Sequence, residues 1–419
     1  MTQYPRACGI DFGTSNSTVG WLGPDAGVLV ALEDGRRTLP SAVFFNADED
    51  SVSFGRAAMG EYLEGYEGRL MRALKSLLGT GLMDGHTEVN GRALGFRDLL
   101  ARFIGELKDR AECASGRTFD HAVFGRPVHF VDDDVVADRK AQDTLEAIAR
   151  QVGFRELSFQ FEPIGAALHY ERSLSREELV LIADIGGGTA DFSIVRLSPE
   201  RARAAERRED LLGNAGIHIG GTDFDRALSL ECVMPVLGYR SRMRSGAEMP
   251  ASVYFQLAAW HTINFAYTRQ VWADLQQIYR DAIARTELDR LCRLINLREG
   301  HWLALQVEQA KIALSASAHT RVDLERLEPG LALALSRAAF TAATQGLVER
   351  VGACVAGLLS AAGVDRARID TIYFTGGASG VPQLRARIAA ELPAARSVEG
   401  DLYGSIGAGL AVEAARRYG

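Results

Sequence analysis

Two glycine turns carry the residues with which this chain could do chemistry. Ile10-Asp11-Phe12-Gly13-Thr14-Ser15-Asn16 lies near the N-terminus, and Ala183-Asp184-Ile185-Gly186-Gly187-Gly188-Thr189 lies mid-chain. Each follows an apolar run, Cys8 to Ile10 and Leu179 to Ala183, and precedes a β-like one, Ser17 to Leu22 and Asp191 to Val195. Each therefore reads as strand, tight turn, strand. Phosphate oxygens bind where backbone N–H groups come close, and glycine or a small hydroxyl residue permits that approach. Gly13, Thr14, Ser15 and Asn16 supply such donors in the first turn, and Gly186, Gly187, Gly188 and Thr189 in the second. Asp11 ends its strand beside the first turn. It can hold Mg²⁺ through water, because that ion keeps much of its hydration shell. Asp184 and Asp191 bracket the second turn. Facing each other across a cleft, the two turns would grip a polyphosphate and its metal from both sides. An ordinary β-turn after an aspartate remains the alternative for either one alone.

A third glycine turn, Gly376-Gly377-Ala378-Ser379-Gly380, leads from a strand into a helix that starts at Val381-Pro382. A helix N-terminus behind glycine suits an adenosine or a phosphate, and a plain strand-to-helix loop is the other reading. No P-loop lysine motif, H-E-x-x-H or G-x-S-x-G occurs. Gly404, Gly407 and Gly409 read as close helix packing rather than as a dinucleotide fingerprint.

These turns need elements to hold them. A strand meander is expected over 1–32, punctuated by Thr38-Leu39-Pro40-Ser41. Leu70, Leu74, Leu77 and Leu78 have helical spacing, with Lys75 off their stripe. Ala122 to Phe130 reads as a strand whose Pro127 marks an edge or an end. Val135 to Gln151 reads as a helix and Phe159 to Phe161 as a short strand. Glu162-Pro163 opens another helix, with proline at a tolerated first-turn site. The second half repeats the theme with a hairpin at 179–197 and Gly220-Gly221-Thr222-Asp223-Phe224-Asp225, where Thr222 looks like an N-cap. A mostly helical segment over 226–302 follows, then helices over Leu303 to Leu314 and Ser336 to Ala362. Ile369 to Thr375 is a buried strand, and Leu402 to Arg417 a last helix.

The bulk numbers exclude several classes. The 419 residues suffice for two or three domains, and 47% hydrophobic with 24% charged residues is ordinary for a globular protein. A formal charge of −7 argues against nucleic-acid binding as the main role. The basic stretch Arg201-Ala202-Arg203 with Arg207-Arg208 is interrupted by Glu200, Glu206, Glu209 and Asp210, and reads as a solvated hairpin edge. Five scattered cysteines without C-x-x-C indicate neither a disulfide framework nor a zinc site, which fits a reducing cytoplasm. Met1-Thr2-Gln3-Tyr4-Pro5-Arg6 has no apolar signal core, and no run is long enough to span a bilayer, so no membrane partner is expected.

Taken in order, several motifs resemble the nucleotide-binding domain of the 70-kDa heat-shock chaperones (DnaK-type), within the actin, hexokinase and chaperone ATPase superfamily. They are Gly9 to Thr14, Asp184 to Asp191, Gly220 to Asp225 and Gly376-Gly377, joined by Glu162-Pro163-Ile164-Gly165-Ala166-Ala167 and Glu308-Gln309-Ala310-Lys311-Ile312-Ala313-Leu314-Ser315. The resemblance covers essentially the whole chain. The enlarged 226–302 segment and the early stop make it most similar to short YegD-like proteins.

The resemblance implies an α/β, two-lobed actin-like ATPase with a duplicated ribonuclease-H-like core and an added subdomain in each lobe. Lobe I would span 1–176 with 400–419, including a subdomain at 39–112. Lobe II would span 177–399, including a subdomain at 226–312. No peptide-binding domain would follow. The cofactors would be ATP or ADP and Mg²⁺, lying between the lobes. Asp11 and Asp184 would hold the hydrated metal. Gly13 to Asn16 and Gly186 to Thr189 would wrap the phosphates, with Gly220 and Gly221 also contacting the nucleotide. Lys75 would balance charge on the γ-phosphate and help place the attacking water, which Glu162 and Asp191 would orient. Glu308, Lys311 and Ser315, on one helix face, would meet ribose and adenine, and Gly376, Gly377, Ser379 and Asp401 would line the adenosine side. Phosphoryl transfer needs mainly positioning and charge neutralisation, so these groups suffice.

Two positions depart from the family pattern. Gly380 stands where the family has an adenine-stacking arginine, and Ile312 occupies the second stacking position. Trp260, Phe265, Tyr267, Trp272 and Tyr279 fall in the enlarged segment, either as the core of an extra helical pair or as a surface for a protein partner or client. The expected function is a slow, chaperone-related ATPase that switches conformation. A nucleotide-sensing pseudo-ATPase that binds a partner and barely hydrolyses is the alternative. A filament former or a small-molecule kinase fits the motifs less well.

Overall fold

The computed structural model describes residues 6–23, 28–131, 134–204 and 207–419, with all their side chains except those of His169 and His261. Met1 to Pro5 and Glu206, read above, lie outside the described residues. The chain divides into two compact units, one of Met1–Ile217, Cys354–Ser379 and Ala389–Gly419, the other of His218–Ala353 and Gly380–Ile388.

The first unit holds two five-stranded mixed sheets. One comprises β1 (Ala7–Asp11), β2 (Asn16–Gly20), β3 (Thr38–Pro40), β4 (His121–Arg126) and β5 (Glu156–Phe161), in the order β5-β4-β1-β2-β3. The other comprises β6 (Glu178–Ile185), β7 (Ala190–Leu197), β8 (Leu211–Ile217), β9 (Thr371–Thr375) and β10 (Arg396–Glu399), in the order β10-β9-β6-β7-β8. Numbered within each sheet, both read 5-4-1-2-3. The strand senses also match. The first three strands of each form an antiparallel meander, and the last two run parallel to the first. This is one fold written twice, and each copy opens with a glycine hairpin.

The first strand of each copy is buried on both faces, which explains its unbroken apolar run. Along β1 the side chains alternate. Cys8 and Ile10 join the cluster containing Leu99, Phe103 and Ile104 of the helix Phe96–Ser115. Ala7, on the opposite face, packs with Leu410 and Ala414 of the helix Ser405–Tyr418. In the second copy Val180 and Ile182 pack against Ile164, Ala167 and Leu168 of the helix Glu162–Glu171. The two helices meet at glycine. A methyl group on Gly409 would lie 1.8 Å from the Gly165 carbonyl oxygen, so no larger residue fits. Gly404 caps this helix, which starts at Ser405 rather than Leu402.

Pro127 follows the last residue of β4, so it ends an interior strand instead of lying on an edge. The helix expected over Leu70 to Leu78 is two elements. Gly68–Arg72 is a strand paired with Ala42–Asn46, Ala73 turns with φ 55°, and Leu74–Leu77 is one 3₁₀ turn. Leucines three apart eclipse in a 3₁₀ turn as readily as they share a helical face. Leu74 and Leu78 remain buried.

The solvated edge expected for the basic stretch holds at Arg203 and Arg208, which are exposed, but not at Arg207. Arg207 is buried, and its guanidinium forks onto the buried Glu171 at 2.8 and 2.9 Å and also bonds Asp210. Glu171 additionally accepts from the Ser198 amide at 3.0 Å. Partnered acids let an arginine in a charged stretch be buried. Arg207→Ala would strand Glu171 inside the protein. It is expected to cost about 3–5 kcal/mol in urea denaturation, and a loss below about 1 kcal/mol would mark the pair as solvent-exposed in solution.

The second unit is mainly helical. Its first helix, Gly221–Leu228, is capped by Gly220 rather than Thr222, and Asp223 accepts from the Gly220 amide at 2.9 Å. The enlarged segment contains the helices Ser252–Leu257, Arg269–Asp281 and Arg285–Asn296. Trp260 packs edge-on against His301, and the Tyr267 hydroxyl accepts from the Gly300 amide. Phe265 and Trp272 are exposed. Of the five aromatics singled out in this segment, Trp260, Tyr267 and Tyr279 are half-buried and none is fully buried.

Candidate phosphate and metal site

The two hairpin turns touch each other within the first unit. A methyl group on Gly187 would fall 2.1 Å from Ser15 Oγ, so the second turn can lie this close to the first only because position 187 has no side chain. The third turn completes the arrangement. Thr375 is the register partner of Asp184 in the parallel β6–β9 pair. Gly376 follows with φ 80°, and a side chain there would strike Asp184 Oδ1 at 2.5 Å. Gly13 and Gly186 to Gly188 therefore present their backbones beside Asp11 and Asp184, at the ends of the first strand of each copy.

Lys75 reaches this point from its 3₁₀ turn. Its ammonium donates to Glu162 Oε1 at 2.5 Å, and both side chains are largely buried. Burial opposes the lysine charge, but Glu162, Asp11 and Asp184 together outweigh that and hold its pKa above the ordinary value. Asp11 is pushed up to about 7 by burial and by Glu162, with Lys75 pulling the other way. Asp184 is raised well above the usual range by burial and then by Asp191, Glu162 and Asp11, against the same lysine. Three carboxylates, Asp11, Glu162 and Asp184, thus share the field of one ammonium, and that imbalance calls for a further cation.

No cluster of three or more metal-ligating side chains occurs among the described residues. The excess of carboxylates fits a hydrated Mg²⁺, and the glycine turns beside it suit phosphate oxygens. Asp11 and Asp184, on the first strand of each copy, are the carboxylates that would hold the metal. Asp191 pairs with Asp184 in the β6–β7 register and accepts from Thr189 Oγ1 at 2.8 Å, so it faces the second turn.

Ser41 was not singled out by its chemistry in the sequence, yet it holds the first turn. Its hydroxyl donates to the Gly13 carbonyl at 2.6 Å, and its amide donates to the Ser15 carbonyl at 2.9 Å. Its only sequence signal is its place in the break after Thr38-Leu39-Pro40.

The remaining predicted residues divide between the units. Gly376, Gly377, Ser379 and Asp401 belong to the first. Ser379 Oγ donates to the Gly376 carbonyl at 2.8 Å, and Asp401 Oδ1 accepts from the Tyr403 and Gly404 amides at 3.1 and 3.2 Å. Gly220, Gly221, Glu308, Lys311 and Ser315 belong to the second. There Lys311 is buried and donates to Asp225 Oδ2 at 2.9 Å and to the Gly221 carbonyl at 3.1 Å. Ser315 bonds back to the Lys311 carbonyl at 3.1 Å. Glu308, on the same helix (Gly300–Ala316), is half-buried.

A duplicated 5-4-1-2-3 sheet with a glycine hairpin opening each copy is the actin-like ATPase fold. The chain belongs to the Hsp70 family, whose sequence model, described as Hsp70 protein, matches residues 7–235 and 296–415. It is similar to the chaperone protein DnaK of Thermosipho melanesiensis, 27% identical over 90% of this chain and 53% of that one. The DnaK of Thermotoga petrophila is 28% identical over 90% of this chain and 54% of its own length. That of Mycoplasmoides gallisepticum is 26% identical over 92% and 55%. The chain spans about half the length of these relatives, a length that corresponds to the nucleotide-binding domain. The family match skips 236–295, inside the enlarged helical segment. Among the described residues, no helix is long and apolar enough to cross a membrane.

Proposed function

We propose that the chain binds Mg-ATP at the paired hairpins, hydrolyses it slowly and changes conformation with the state of the nucleotide, as a cytoplasmic, chaperone-related ATPase of the short YegD-like kind. One observation carries this reading: the two glycine turns meet beside three electrostatically coupled carboxylates, Asp11, Glu162 and Asp184, and one lysine. The turn amides would bind phosphate oxygens. Bound magnesium, held by Asp11 and Asp184 through water, would supply neutralising charge to the phosphates. Lys75 would hold a proton-bearing nitrogen at the γ-phosphate, kept cationic by Glu162, and Glu162 and Asp191 would accept from the attacking water. These are fixed charges aimed at developing charge, and they need little reorganisation during the reaction.

The alternative, a nucleotide sensor that barely hydrolyses, draws support from the Lys75–Glu162 contact. A lysine held this closely by one carboxylate gives up part of its donor capacity to the protein. The exposed Phe265 and Trp272, both in the segment without a family match, support a protein partner there. Calorimetry of Mg-ATP binding alongside a phosphate-release assay separates the readings. Binding with slow release is expected. Binding without release selects the sensor, and no binding removes both.

A further inference from the structure

We propose that Tyr403 is the surface on which the nucleobase stacks. This rests on the phosphate-binding reading above and adds a specificity residue to it. Tyr403 is a large aromatic residue left 50% exposed. Scattered exposed aromatics are ordinary, so its position decides the matter. Its ring lies against the third glycine turn. A methyl group on Gly377 would come within 2.7 Å of Tyr403 Cε1 and 3.2 Å of its hydroxyl oxygen. The preceding residue, Gly376, is the one whose missing side chain makes room for Asp184 Oδ1. One residue step, about 3.8 Å, therefore joins the carboxylate end of the site to the aromatic ring. A polyphosphate bearing a flat apolar group matches that pairing of anion cradle and exposed π-face, and a nucleotide is such a molecule.

The backbone that carries the ring is also held in place beforehand. Asp401 Oδ1 accepts from the Tyr403 and Gly404 amides, and the Asp401 carbonyl accepts from Ser405 Oγ at 2.6 Å. The turn that carries the tyrosine is thus tied to the start of the helix Ser405–Tyr418, so stacking on it costs little ordering entropy. Asp401 acts here as a positioning residue, fixing the backbone of Tyr403. Stacking needs a π-face and does not read base edges, so the phenol hydroxyl is dispensable.

The test is calorimetry of Mg-ATP and of Mg-tripolyphosphate with the wild-type chain, Tyr403→Ala and Tyr403→Phe. Tyr403→Ala is expected to weaken ATP about tenfold and to leave tripolyphosphate unchanged. Tyr403→Phe is expected to restore ATP binding to within about twofold of wild type. Equal ATP affinity in wild type and Tyr403→Ala overturns the proposal. So does an equal loss of both ligands in Tyr403→Ala, which would show a purely structural role. A wild-type chain that takes tripolyphosphate as tightly as ATP also overturns it, while leaving the phosphate-binding reading intact. Failure to bind either ligand removes that reading, and this proposal with it.

Discussion

Lys75→Ala is expected to slow magnesium-dependent phosphate release by about 10²–10³-fold, equivalent to about 2.7–4 kcal/mol of barrier. The lysine is an ammonium among three carboxylates, and it is held near the point where the two glycine turns meet. Without it, the negative charge on the transferring phosphoryl group faces Glu162 and Asp184 with less compensation. The loss should fall on turnover more than on binding, because the turn amides and the aspartates remain. Single-turnover phosphate release at saturating Mg-ATP reads the first effect, and calorimetry reads the second. Lys75→Arg should not restore the rate, since a guanidinium fork is larger and directs its donors differently from a point ammonium. Unchanged release in Lys75→Ala would remove the lysine from the reaction.

That lysine also shows how far the sequence could be read. The hairpins were legible because two local rules agree at each. Apolar runs buried on both faces specify the strands, and glycine with small hydroxyl residues specifies the turns. The helix at Val135–Gln151 and the proline-started helix at Glu162 were legible for the same reason, with periodicity and end signals in agreement. At Leu70 to Leu78 the leucine spacing served two geometries, and only pairing with Ala42–Asn46 decides for a strand. The role of Lys75 was visible only through a family resemblance, because its partner Glu162 is 87 residues away. Arg207 was hidden by its company: a charged stretch looks solvated until the fold brings Glu171 and Asp210 around it. Ser41 and Tyr403 gave no chemical signal at all. Their importance comes from which turn each one touches, and that is a tertiary fact.

Asp11→Asn is expected to make the nucleotide-free protein more stable at pH 8, because the site keeps acids where they are costly. The Asp11 pKa rises from an ordinary 3.8 to about 7 in the fold. Between those two values the folded chain holds a proton that the unfolded chain has released. Stability contributed by this group therefore falls as pH rises through that window, and it stays at the lower level above pH 7. Asparagine carries no charge to desolvate, so the variant escapes the penalty. Its advantage should amount to a few kcal/mol at most near pH 8 and should shrink as pH falls towards 4. Paired urea denaturation curves across that range measure the gap, and a gap independent of pH would show that Asp11 ionises in the fold as easily as in water. Saturating Mg-ATP should reverse the order. Whatever binds only the folded state adds stability that grows with the logarithm of its concentration relative to its dissociation constant, and on the proposed reading the wild-type chain, which keeps both aspartates for the metal, gains the most. The strain of crowding Asp11, Glu162 and Asp184 together is thus the same feature that would make a cation-bearing ligand bind, which is the usual cost of a site kept ready for charge.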